Sequence, residues 1–248
     1  MAPSVNTKSK PSVNTKSKRI AIVGGGFLTI ALLALIIARG LSSTDALPSP
    51  AFPVYSFAGI RAAVDPATVE GIRAVITWSV EPSTSSQSSQ STWIGLYAEP
   101  KPQQHVSFEI VQIGWKQVGS GEPRLFWEWS VGRDDFHVSY GSVVHSAETL
   151  DVEIDRLGTN GYKFISAGTE VGRASVPWKP TLAAANGETH HPADLMAGSA
   201  QSPEMVRDVA VKVTNEWHHL GGRTFSTNSN YLASLGQPGE IEIWDVRN

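Results

Sequence analysis

The sequence predicts an all-β domain, an antiparallel sandwich or jelly roll, preceded by one N-terminal transmembrane helix. Three observations predict it. Short runs with two-residue alternation and aromatic or β-branched residues recur from residue 55 to 175, broken by turn signals. The 248 residues include 22 Gly and 15 Pro, an abundance that suits many tight turns. Helical periodicity is nearly absent after residue 39, where only Ala193–Ala200 and Glu204–Val213 read as short helical turns.

The chain begins with a polar tail, residues 1–19, in which Pro3–Lys10 (PSVNTKSK) is repeated verbatim as Pro11–Lys18. Four lysines and Arg19 then precede residues 20–38, a stretch without charge. At about 1.5 Å per residue a helix of that length spans roughly the hydrocarbon thickness of a bilayer. The basic flank places the N-terminus in the cytoplasm and residues 40–248 outside the cell. The run is longer than the usual signal-peptide core of ~7–15 residues, which favours an uncleaved anchor. Cleavage within Leu41–Ala46 would instead give a secreted protein. Residues 39–54 form a linker, and 55–248 form the β-sandwich ectodomain.

Charge is unevenly distributed. Residues 1–39 hold six Lys/Arg and no acids, leaving 14 basic against 23 acidic residues and a formal charge of −9 beyond them. That balance argues against nucleic acid and anionic membrane surfaces as partners of the ectodomain. There are no cysteines, so disulfides and thiolate metal sites are excluded.

Strands are expected at Tyr55–Val64, Ile72–Val80, Trp93–Tyr97, Phe108–Lys116 and Arg124–Ser130. Others follow at His137–Val144, Thr149–Ile154, Tyr162–Ala167 and Glu170–Ser175. The polar stretch Ser83–Thr92 reads as a solvated loop. The central pair, Phe108–Lys116 and Arg124–Ser130, is joined by a Gly/Pro turn at Gly119–Pro123. Alternation puts Ile110, Gln112, Gly114 and Lys116 on one face of the first of these strands. In the second, Leu125, Trp127 and Trp129 alternate with Phe126, Glu128 and Ser130. Polar Gln112 and Glu128 among so many aromatics point to a sheet face that binds something.

Most standard chemistries are absent. There is no Gly-x-Ser-x-Gly elbow, phosphate-binding loop or dinucleotide glycine pattern. His190–His191 and His218–His219 each follow a Glu by two residues, but adjacent histidines on a strand point to opposite faces and no HExxH spacing occurs. They read as solvated loop histidines, and no metal or cofactor is expected. Carboxylates remain. Asp134–Asp135 read as turn residues, Glu128 as a candidate that strand alternation also explains, and Glu188 as a polar end to an apolar run.

A resemblance sharpens this. Val111–Trp115 (VQIGW) followed by Arg124–Trp129 (RLFWEW) resembles the glutamic peptidases, both the fungal eqolisins and the plant neprosin-type proteins. Phe57–Gly71, Thr92–Tyr97, Gly161–Glu188 and Ala193–Ser199 are similar to further segments of that superfamily, in the same order. The resemblance implies a concanavalin-like jelly roll of two curved antiparallel sheets with a polypeptide substrate in a groove on the concave face. It implies catalysis by Gln112 and Glu188. A Glu with a raised pKa serves as base toward water and then as acid toward the leaving amine. A neutral Gln binds the oxyanion and the water. Trp93, Trp115, Trp127 and Trp129 are then groove or core residues, and activity in acid is expected. The NGETHH sequence around Glu188 departs from the Trp- and acid-rich eqolisin stretch, and Glu216–Asn248 matches the superfamily poorly. Two other readings stay open, a non-catalytic β-sandwich module binding carbohydrate or peptide, and a surface domain with no cleft.

Overall fold

The computed structural model describes residues 55–78, 81–84, 88–98, 109–132 and 135–248. The expected tail, anchor and linker, residues 1–54, lie outside the described residues, as do the Pro100–His105 loop and Asp134. The described chain is all-β. The first strands are β1 (Ser56–Ala63) and β2 (Val69–Thr77), joined by a turn in which Asp65 Oδ1 accepts from Ala67 N at 2.9 Å. Four strands follow in succession, β3 (Ser89–Tyr97), β4 (Ile110–Val118), β5 (Arg124–Ser130) and β6 (Phe136–Val143). A second run comprises β7 (Leu150–Leu157), β8 (Gly161–Ser166) and β9 (Thr169–Ser175). After these come β10 (Leu182–Thr189), β11 (Glu204–Val213) and β12 (Glu216–His219). The last three are β13 (Arg223–Ser226), β14 (Tyr231–Leu235) and β15 (Ile241–Asp245).

They form two antiparallel sheets. One runs in the order β13-β1-β10-β3-β4-β5-β6 and the other β14-β15-β11-β2-β7-β8-β9, with β12 paired to β11. The apolar residues of alternating strand positions meet between them, among them Ile60, Ile94 and Ile113 from the first sheet and Ile72, Ile76 and Phe164 from the second. Each such side chain removed from water contributes about 1.5–3 kcal/mol. The central hairpin forms as the alternation predicts, with Gln112 opposite Glu128 and Gly114 opposite Phe126.

Three segments differ from expectation, each for a physical reason. Glu204–Val213 is a strand and not a helical turn. A register shift between Arg207 and Ala210, with Asp208 at φ 53°, bulges the strand. The bulge lets Val206 and Val209, three apart, both reach the core, so the apolar spacing mimics a helix. Ala193–Ala200 holds no helix either; it is a loop tied by isolated pairing of Leu195 with Ser83. Ser89–Thr92 belong to β3 and not to a solvated loop. They are buried, with the Ser89 hydroxyl bonded to His190 and the Thr92 hydroxyl to Glu204, so composition misleads there.

The poorly matching C-terminal segment is built into the domain. Strand β13 extends the first sheet beyond β1, and β14 and β15 extend the second. The Arg247 guanidinium then bonds Asp245 Oδ2 at 2.6 Å, Tyr231 Oη at 2.9 Å and the Asp194 carbonyl at 2.5 Å.

Candidate active site

Strand parity decides what the site contains. Val111, Ile113 and Trp115 pack into the inter-sheet core, so Ile110, Gln112, Gly114 and Lys116 face outward from the first sheet. Glu128 shares that outer face because it lies opposite Gln112. On the other side of β4, β3 presents Ser91, Trp93 and Gly95, and β10 presents Asn186 and Glu188. In register, Glu188 lies opposite Ser91, Ser91 opposite Lys116, and Gly95 opposite Gln112. Gln112 and Glu188 therefore share one face, on strands separated by β3.

Trp93 occupies the space between them. Its Nε1 donates to Glu188 Oε2 at 2.8 Å. Its ring leans over Gly95, where an added Cβ would lie 3.0 Å from Trp93 Cζ3 and 3.2 Å from Gln112 Cβ. Glycine at that position leaves room for the indole beside Gln112. Gly114 is more tightly constrained, since a Cβ there would sit 2.0 Å from the Thr92 carbonyl oxygen.

Of the four tryptophans expected as groove or core residues, Trp93 alone lies on the site face. Trp115 points to the core, where its Nε1 donates to Glu204 Oε1 at 2.8 Å. Trp127 and Trp129 pack against the same core, and Trp129 stacks on His137 at 4.6 Å. Their odd-numbered parity in β5, opposite to that of Glu128, excludes them from the face of Gln112.

The carboxylates divide into two electrostatic states. Burial acts to raise the Glu188 pKa. The charge and hydrogen bond of His190, the charge of Lys116 and the Trp93 bond together outweigh it and hold the carboxyl below its usual range. Glu128 goes the other way. Burial pushes it up; Lys116 opposes, the charge of Glu188 adds to the rise, and a Gln112 hydrogen bond opposes, leaving it above the usual range. The expectation of a raised Glu188 is thus reversed, and the raised carboxyl is its neighbour. Lys116 Nζ sits 3.7 Å from Glu128 Oε2 and 5.4 Å from the Phe126 ring centroid. Burial lowers the Lys116 pKa, but Glu128 and Glu188 more than compensate and keep the ammonium charged.

Gln112 is 4% exposed, and its Oε1 has no hydrogen-bond partner among the described residues. An unpartnered buried acceptor costs about 1–3 kcal/mol, so the amide is poised to take a donor from outside the fold. Glu188 Oε1 is 2.9 Å from His190 Nε2, which makes His190 part of the site and not a solvated loop histidine. The i, i+2 spacing that carries both side chains to one strand face was visible in the sequence. His218 stays at the surface, 3.9 Å from Glu216. A separate cleft of about 290 Å³ on the other sheet is lined in part by Glu70, Asp155 and Lys212, and its Asp155 is ion-paired to Lys163 and Lys212.

The fold is that of the glutamic peptidases. Scytalido-glutamic peptidase, solved with a transition state analog inhibitor, superposes with a TM-score of 0.57 at 12% identity, covering 78% of this chain and 99% of that one. SCP-B, a member of the eqolisin family solved with the tripeptide Ala-Ile-His, superposes at 0.55 with the same identity and coverage. No family model and no curated protein sequence matches the chain. The likeness is one of architecture, a glutamic-peptidase-like sandwich, at an identity too low to carry residue roles.

Proposed function

We propose that the chain is an exported, membrane-anchored endopeptidase that hydrolyses polypeptide bonds with Gln112 and Glu188 and works in acid. Glu188 carries this reading. It is a carboxylate only 8% exposed, on the same outer face as Gln112, oriented by Trp93 and His190 and kept ionised by its neighbours. Superposition on glutamic peptidases supports the reading at the level of fold.

In this mechanism Glu188 takes a proton from water as its oxygen bonds to the scissile carbonyl carbon and the carbonyl π electrons move to oxygen. Gln112 Oε1 accepts from the water, and the Gln112 amide donates to the oxyanion. Collapse of the tetrahedral species breaks the C–N bond, and the proton on Glu188 passes to the departing amine. The raised Glu128, opposite Gln112 in the sheet, orients that amide. Lys116 limits the charge repulsion between the two carboxylates. The carbohydrate-binding alternative needs exposed indoles for stacking, whereas Trp93 is 4% exposed and hydrogen-bonded to Glu188. The N-terminal run of residues 20–38 is the basis for the anchor and for the ectodomain lying outside the cell.

The test is proteolysis of a denatured protein at acid and neutral pH by the purified chain and by Glu188→Gln. Acid-dependent cleavage lost in the variant supports the dyad. Equal cleavage by both proteins rejects it.

A further inference from the structure

Backbone alternation continues one residue past β10, because His190 N still donates to the Ser89 carbonyl at 3.0 Å. His190 therefore leaves the sheet on the same side as Glu188. Both ring nitrogens are engaged, Nε2 at 2.9 Å from Glu188 Oε1 and Nδ1 at 3.0 Å from Ser89 Oγ. The Tyr55 ring packs edge-on against the imidazole at 4.7 Å, and the histidine side chain is 23% exposed.

The chemistry of the pair fixes the proton positions. A carboxylate accepts only, so Nε2 carries hydrogen and donates to Glu188. In the neutral ring Nδ1 accepts from the Ser89 hydroxyl. In the charged ring Nδ1–H donates to the same oxygen. Serine at 89 satisfies both states without moving the ring, and the bond to Glu188 survives either way.

We propose that His190, oriented by Ser89, is a positioning residue that holds Glu188 in its ionised, proton-accepting form as the medium turns acidic. The inference rests on the peptidase reading for its catalytic consequence but not for the coupling itself. The other groups facing Glu188 are Lys116 from β4, Glu128 from β5 and Tyr55 ahead of β1. Lys116 is paired with Glu128, and Tyr55 and Glu128 both oppose charge on Glu188 when they are ionised. Trp93 Nε1 also donates to the carboxylate, but it carries no charge, and Lys116 acts by charge without a hydrogen bond to it; His190 acts on Glu188 by both. The lowered Glu188 pKa, with His190 acting both by charge and by hydrogen bond, agrees with this geometry.

The experiment compares wild type, His190→Ala, His190→Gln and Ser89→Ala in two readouts. One is the pH profile of kcat/KM on a fluorogenic peptide. The other is the titration of the Glu188 carboxyl carbon by ¹³C NMR, assigned with Glu188→Gln. Expected is an acid limb displaced toward higher pH in His190→Ala, so that the rate falls several-fold more in acid than at neutral pH. His190→Gln, which keeps a donor without the charge, recovers part of the displacement, and Ser89→Ala shows a smaller one. The carbon titration moves in the same direction. A uniform loss of rate with unmoved limb and unmoved titration overturns the proposal. A moved titration in a protein that cleaves no peptide keeps the hold of His190 on Glu188 and removes the peptidase reading.

Discussion

Trp93 and Glu188 are joined across β3 and β10 by a 2.8 Å hydrogen bond from the indole Nε1 to carboxylate Oε2. The bond fixes the direction of the carboxylate while the same ring lies over Gly95 beside Gln112. Trp93→Phe keeps the apolar ring and deletes the donor. Hydrogen bonds to charged groups are worth about 1.5–3 kcal/mol, so kcat/KM should fall by about ten- to a hundredfold. Steady-state kinetics on a peptide substrate, with circular dichroism confirming the fold, measures this. An unchanged rate removes Trp93 from the site.

Gly114 sits where β3 and β4 approach closely. An alanine Cβ would lie 2.0 Å from the Thr92 carbonyl oxygen and 2.7 Å from Trp93 Cα, both backbone atoms. The strands must separate to admit it. Gly114→Ala should lose about 1–3 kcal/mol of stability or more, read as a lower midpoint in urea denaturation.

Glu204 is a buried acid on the core side of the same strands. Burial pushes its pKa up to about 8, while hydrogen bonds from Thr92 and Trp115 oppose the rise. The folded state holds this proton more tightly than the unfolded chain. The stabilisation is complete below the ordinary carboxylate range and is lost as pH rises through about 8. Glu204→Gln, a neutral near-isostere, should match wild type in acid and exceed it in relative stability near pH 8. Thermal melts across that window decide; parallel pH dependence in the two proteins contradicts the assignment.

Arg247 covers Asp245, whose side chain is 0% exposed. Removing one partner of such a pair leaves an uncompensated buried charge and costs about 3–5 kcal/mol. Arg247→Ala should therefore lower the melting temperature far more than Arg173→Ala, because Arg173 pairs with Glu170 at an exposed position.

What the sequence made legible follows from where local pattern and tertiary pairing agree. In β4 and β5 the two-residue period runs unbroken, so the face carrying Gln112 and Glu128 could be read directly. The tryptophans could not be placed by type alone; Trp115 and Trp127 differ from Trp93 only in parity and register. Glu204–Val213 was disguised because the bulge at Asp208 turns a period of two into a step of three. Ser89–Thr92 looked like loop because their partners, His190 and Glu204, lie more than a hundred residues away. His190 was visible as an i+2 neighbour of Glu188, but that spacing was weighed for metal binding alone. The opposite shifts of Glu128 and Glu188 depend on Lys116 and His190 converging from separate strands, which no linear pattern encodes.

On the function proposed above, the outer face of the first sheet is a hydrolytic centre built on Glu188 and Gln112. The most direct measurement is the rate of peptide cleavage in acid by wild type, Glu188→Gln and Gln112→Ala, each shown to be folded. Glu188→Gln should abolish cleavage, and Gln112→Ala should lower kcat by about 10²–10³ with little change in KM. Cleavage by Glu188→Gln at the wild-type rate, or no cleavage by a folded wild type that still binds peptide, would contradict it.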